Sequence, residues 1–151
     1  MYQRILVPVD GSEASKRGLQ EAIKLAKATN ARLQLVHVVN ELLLEAGFLG
    51  DQPYGPPIDS LRASGAKILE EAKSVTREAG VEFGTELVDT MGGHVSPLVL
   101  DAARQVNADL IVMGTHGRRG VKRLLMGSDA EMVLRSSPVP ILFVRTRPEG
   151  D

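Results

Sequence analysis

The sequence of 151 residues contains no cysteine. Disulfides, thiol nucleophiles and cysteine-ligated metal sites are thereby excluded. Tryptophan is also absent, and two Tyr and three Phe make up the aromatic complement. Base-stacking platforms and aromatic sugar clefts need more rings than that. Neither sign of charge is in excess: 18 Lys and Arg face 19 Asp and Glu, for a formal net charge of -1. Proteins that grip nucleic acid by neutralising phosphates carry a marked basic surplus, so no nucleic-acid partner is expected. No run reaches the roughly 18 consecutive apolar residues of a membrane-spanning helix, so no membrane partner is expected either. Met1-Tyr2-Gln3-Arg4 leads directly into Ile5-Leu6-Val7-Pro8-Val9, without the basic region, apolar stretch and cleavage site of an export signal. The expected location is the cytoplasm.

What is present has the composition of one globular domain, 43% hydrophobic and 25% charged. Apolar runs of strand length alternate with helical periodicity. Ile5 to Val9 reads as a first strand, and Asp10-Gly11-Ser12 as a turn that opens a helix. Leu19, Ala22, Ile23 and Ala26 then keep the spacing of one helix face. Leu33 to Val39 form a second strand that ends near Asn40. Residues 59 to 79 form a long amphipathic helix that Gly80 ends. Val81 to Val88 is a third strand, and Val95 to Val106 a third helix. Leu110 to Met113 is a fourth, wholly apolar strand. Ser128 to Arg135 is a short helix, and Val139 to Val144 the last strand. Strands alternating with helices in this way predict an α/β fold, an open parallel five-stranded sheet with helices on both faces. Residues 1 to 146 are expected to form the domain and 147 to 151 a short tail.

Residues 40 to 58 interrupt this rhythm. The connection is long and carries Gly47, Gly50, Pro53, Gly55, Pro56 and Pro57. It reads either as a surface loop or as a lid over a ligand site.

The densest constellation follows the fourth strand: Met113-Gly114-Thr115-His116-Gly117, then Gly127-Ser128 at a helix start. Ligands of open parallel sheets sit beyond the carboxyl ends of the strands. Glycines there admit a phosphate close to the backbone, and a helix N-terminus adds N–H donors and a favourable dipole. A tight turn is the competing reading. Neither a P-loop nor a Gly-x-Gly-x-x-Gly dinucleotide fingerprint is present.

Gly114-x2-Gly117-x9-Gly127-Ser128 resembles the nucleotide-binding signature of the universal stress protein family. The opening Ile5-Leu6-Val7-Pro8-Val9-Asp10-Gly11-Ser12 is similar to that family's first strand and turn. Val36-His37-Val38 is similar to the end of its second strand. Ala108 to Gly117 and Ser137 to Val144 resemble its fourth and last strands. The resemblance covers essentially the whole chain. It implies a Rossmann-like sheet in the order 3-2-1-4-5, with strands one and four side by side.

The resemblance also implies a site for ATP or another adenine nucleotide, with or without Mg. Pro8, Asp10 and Val38 match positions on the adenosine side, with Asp10 bonding ribose or adenine and the Val38 backbone meeting the base. Met113, Gly114, His116, Gly117, Gly127, Ser128 and Asp129 match positions around the ribose and phosphates. Two departures stand out. Ala130 replaces a hydroxyl residue of many ATP-binding members. Asp129 places a carboxylate at a helix start meant for phosphate, which repels the ligand if it points inward and serves the helix dipole if it points outward.

Other readings of these residues remain. Asp10 and Ser128 each suit a helix N-cap. His37 suits a hydrogen-bonded structural role, and three scattered His show no metal-ligand spacing. Arg118, Arg119, Lys122 and Arg123 form a basic loop that is either solvated or screens phosphate. No nucleophile elbow, His-Glu-x-x-His motif or P-loop lysine is present, so binding without fast turnover is expected. The function expected is an adenine-nucleotide-binding stress-response module. The alternative is a dimeric stress-response interaction protein that needs no nucleotide. An ATP-pyrophosphatase-type enzyme ranks below both, because Val9-Asp10-Gly11-Ser12-Glu13 lacks the Ser-Gly-Gly-x-Asp-Ser loop. The apolar last strand, Val139 to Val144, predicts a homodimer through an uncovered sheet edge. The other reading is a monomer shielded by Arg145, Arg147 and the tail.

Overall fold

Ile5, Leu6 and Val7 are wholly buried, which requires cover on both faces of their strand. The computed structural model, which describes residues 1–40, 58–90, 94–115 and 128–146, provides it. The first strand, β1, spans Arg4–Pro8 and is followed by helix α1, Glu13–Thr29. Strand β2 is Arg32–Asn40, helix α2 Ile58–Glu78 and strand β3 Phe83–Thr90. Helix α3 is Val95–Gln105, strand β4 Leu110–Gly114, helix α4 Ser128–Ser136 and strand β5 Ile141–Val144. The five strands form one sheet in the order β3-β2-β1-β4-β5, and every pairing is parallel. Both the α/β class and the strand order match expectation.

The period-2 alternation of the strands divides the core in two. Ile5 and Val7 of β1, Leu33 and Leu35 of β2, and Leu110 and Val112 of β4 face Leu19, Ala22, Ile23 and Ala26 of α1 and Ile68, Leu69 and Ala72 of α2. Leu6, Val36, Ile111 and Met113 face Val99, Leu100, Ala102 and Ala103 of α3 and Ala130 and Val133 of α4.

Three helices end in the same way. The N–H of Ala31 bonds Ala26 O, Val81 N–H bonds Thr76 O, and Ala108 N–H bonds Ala103 O. The residue before each has positive φ: Asn30 at 58°, Gly80 at 75° and Asn107 at 52°. This is the six-to-one closure that satisfies the last carbonyls of a helix. It also explains why β3 starts at Phe83 and not at Val81, whose N–H is spent on the end of α2.

The last strand is shorter than expected. It begins at Ile141, because Pro140 has no N–H and Val139 is held in a local turn by Ser137. Ser137 Oγ donates to Val139 O at 2.8 Å and accepts from Val139 N at 3.2 Å. The Pro140 carbonyl accepts from Ile111 N at 3.1 Å, so the residue borders the ladder without entering it.

At the amino ends of the strands, Asp109 ties β1 to the approach of β4. Its carboxylate accepts from Gln3 N at 2.8 Å and Arg4 N at 3.1 Å, while its own N–H donates to Arg4 O at 2.9 Å. The opposite, carboxyl ends are where the expected site residues gather. Among the described residues, no helix is long and apolar enough to cross a membrane. The long connection at 41–57 and the tail at 147–151 lie outside the described residues.

Candidate functional site

β1 pairs with β2 on one side and β4 on the other, so the chain leaves it in opposite directions. This is the switch point at which an open parallel sheet leaves a crevice. Pro8 stands opposite Val36 of β2. The β1–β4 register, Ile5 with Leu110 and Leu6 with Ile111, brings Pro8 level with Met113 when carried forward. Pro8, Asp10, Val38, Met113 and Gly114 therefore share one end of the sheet. Ser128 and Asp129 belong to the first turn of α4, which packs on the same strands through Ala130 and Val133. His116, Gly117 and Gly127, together with the basic loop, lie outside the described residues.

The turn after β1 is built around Asp10. Its Oδ1 accepts from Ser12 N at 2.8 Å, and its own N–H donates to Ser15 Oγ at 3.1 Å. Gly11 between them has φ of 82°, which the turn requires. The cap of α1 is Ser12, whose hydroxyl accepts from Ser15 N at 3.1 Å. Asp10 is thus not an N-cap. Its carboxylate is half-buried, held by one oxygen, and beside the crevice.

Gly114 meets α1 rather than open space. A β-carbon there would stand 2.7 Å from both the Ala14 carbonyl carbon and the Ala14 β-carbon. Gly18 lies next to it, its own β-carbon position 3.4 Å from Gly114 N. The start of α1 therefore crosses directly over the end of β4.

Met113 points its side chain into the core beneath α3 and α4, and its backbone pairs with Phe143 of β5. Ala130 is also in that core, at 3% exposed. Position 130 thus faces an apolar cluster and supplies no donor. Ser128 is exposed and stands at the start of the described part of α4. Asp129 and Glu131 complement the positive end of the helix dipole.

One polar group was not anticipated from the sequence. Thr115 continues the ladder past β4, its N–H donating to Val144 O at 3.0 Å. Its side chain is buried, and among the described residues Oγ1 has no hydrogen-bond partner. A buried hydroxyl left so is uncommon, and it lies within the glycine-bounded motif. His37 has the structural role expected of it, with Nδ1 2.7 Å from Val9 O. His94 precedes α3 without a side-chain cap bond. No group of three His, Cys, Asp or Glu among the described residues is placed to hold a metal ion.

Comparison with known proteins agrees with this architecture. The model of the universal stress protein family matches residues 1–145. The universal stress protein YxiE of Bacillus subtilis is 34% identical over 151 positions, covering 96% of this chain and 100% of that one. A universal stress protein structure from Burkholderia pseudomallei superposes with a TM-score of 0.73 at 33% identity, covering 95% and 96% of the two chains. A universal stress protein in complex with cAMP superposes with a TM-score of 0.71 at 27% identity, covering 97% and 98%. The universal stress protein from Archaeoglobus fulgidus in complex with dAMP superposes at 0.66 with 26% identity, covering 95% and 98%. With nearly its whole length matched in sequence and in fold, the chain belongs to the universal stress protein family.

Proposed function

We propose that this protein binds an adenine nucleotide at the carboxyl ends of β1, β2 and β4, and acts as a binding or sensing module in a stress response. The observation that carries the reading is the convergence of Pro8, Asp10, Val38 and Gly114 at the switch point of the sheet. Relatives with this fold hold cAMP and dAMP, which supports an adenine ligand. Asp10 offers a carboxylate oxygen to a ribose hydroxyl or the base, and the Val38 backbone offers the base a hydrogen-bonding edge. Met113, Gly114, His116, Gly117, Gly127, Ser128 and Asp129 are assigned by family resemblance to the ribose and phosphates. With ATP as ligand, Mg is carried by the phosphates. Residues 1 to 146 act as one unit, in the cytoplasm, as a homodimer joined at the β5 edge. The protein is not a fast enzyme: any hydrolysis runs well below about 10 per second, a typical enzyme turnover.

The deciding experiment is mass spectrometry of nucleotide retained through purification, followed by titration calorimetry with ATP, AMP and cAMP, with and without Mg. Binding in the wild type and its loss in Gly117→Val support the site, because a side chain there fills the space of a phosphate. Equal affinity in the two proteins removes the phosphate cradle. No binding of any adenine nucleotide leaves the nucleotide-independent interaction protein, which the inward-facing Ala130 favours.

A further inference from the structure

Val9 lies one residue past β1, and its N–H donates to Val36 O at 2.8 Å. The β1–β2 ladder is therefore still in step at Val9. In a regular parallel ladder the next bond runs from Val38 N–H to Val9 O. That bond does not occur among the described backbone contacts. The Val9 carbonyl meets a side chain instead: His37 Nδ1 stands 2.7 Å away. A carbonyl only accepts, so Nδ1 carries the proton and donates it.

The imidazole is held in place by its surroundings. His37 is buried on the same face of β2 as Leu33 and Leu35. The backbone of α2 rests on its ring at Gly65. A β-carbon on Gly65 would lie 2.7 Å from His37 Cδ2, 3.1 Å from Nε2 and 3.0 Å from Leu87 Cδ1. Any larger residue at position 65 would push the ring away from Val9.

The consequence falls on Val38. The N–H and C=O of one strand residue point to the same side, and alternate residues repeat that side. Val36 O reaches β1, so the N–H and C=O of Val38 also point toward β1, beyond its last paired residue. There the chain has turned away, with Asp10 bonded to Ser12 and Ser15. The Val38 donor and acceptor thus face the crevice. The edge of an adenine presents the complementary pair, a ring-nitrogen acceptor beside an amino donor.

We propose that His37 is a positioning residue for base recognition: by occupying the Val9 carbonyl, it keeps the Val38 N–H and C=O out of the sheet and open to the adenine of a bound nucleotide. This rests on the adenine-nucleotide reading above, and its test separates the two. Amide hydrogen exchange of the nucleotide-free protein, read by NMR, addresses His37 alone. The wild-type Val38 amide should exchange at least about tenfold faster than that of Val36, which lies within the ladder. In His37→Leu, Val38 should slow by about tenfold or more as the ladder closes on Val9. In His37→Asn, whose amide donates to the same carbonyl, Val38 should stay fast. A wild-type Val38 amide as protected as Val36 overturns the proposal without recourse to any variant.

Calorimetry with AMP and ribose 5-phosphate addresses the ligand. His37→Leu should lose about tenfold or more in AMP affinity, the scale of one or two hydrogen bonds, while ribose 5-phosphate binds as before. His37→Asn should recover AMP binding. Equal losses for both ligands mean a general structural defect and overturn the base-recognition role. If the wild type binds no adenine nucleotide, the proposed function and the base-recognition role both fall.

Discussion

The Ala14 β-carbon occupies the space that a β-carbon on Gly114 would need, at a separation of 2.7 Å. Helix α1 begins over the end of β4 because position 114 has no side chain. Gly114→Ala should therefore push α1 off the strand and destabilise the protein by about 1–3 kcal/mol, the range for overpacking. Urea denaturation followed by circular dichroism checks this. Unchanged stability would show that Ala14 shifts freely and that the glycine is not needed for packing.

Asp109 acts at the far end of the sheet, bonding the N–H groups of Gln3 and Arg4. Asp109→Ala removes the acceptor for both. The expected loss is about 1.5–3 kcal/mol, as for hydrogen bonds to a charged group. Faster amide exchange at Gln3 and Arg4 should accompany it, with nucleotide affinity unaltered, because the proposed site lies at the opposite ends of the strands. A loss of affinity without a loss of stability would contradict this placement.

Thr115 buries a hydroxyl that has no hydrogen-bond partner among the described residues. Thr115→Val keeps the shape and removes the desolvated polar atom. The nucleotide-free protein should become more stable by about 1 kcal/mol. Thermal unfolding of the two proteins side by side measures the sign. A lower melting temperature for the variant would mean that the hydroxyl finds a partner in solution.

The outer edge of β5 is one end of the sheet order, and Leu142 on it is 41% exposed. Ile141 and Phe143 pack against the core under α3 and α4, so charges there would disturb folding as well as association. Leu142→Lys is the cleaner probe. Sedimentation should find the wild type dimeric at micromolar concentration, and the variant at least about tenfold weaker in association, or about 1.4 kcal/mol. A monomeric wild type, or a variant with unchanged association, argues against this interface.

The sequence by itself determined the alternation of strand and helix, because that is written in local periodicity. Ile5, Leu6 and Val7 read as a strand covered on both faces, and all three are buried. Gly80 marked the end of α2, since glycine is the residue that most readily takes positive φ. Asn30 and Asn107 end their helices in the same conformation but went unread, because asparagine is also common elsewhere in a chain. The motif around Gly114 was legible as a candidate site, yet the packing roles of its residues were not. Only the tertiary structure decided that Gly114 makes room for Ala14, that Met113 and Ala130 turn inward, and that His37 takes the Val9 carbonyl. The reason is the distance along the chain. Position 114 lies a hundred residues from position 14, and His37 lies 28 from Val9. Periodicity reports which face of an element is apolar. It does not report which atom of another element will fill the space beside it, and that choice is made when the sheet assembles and the helices close over it.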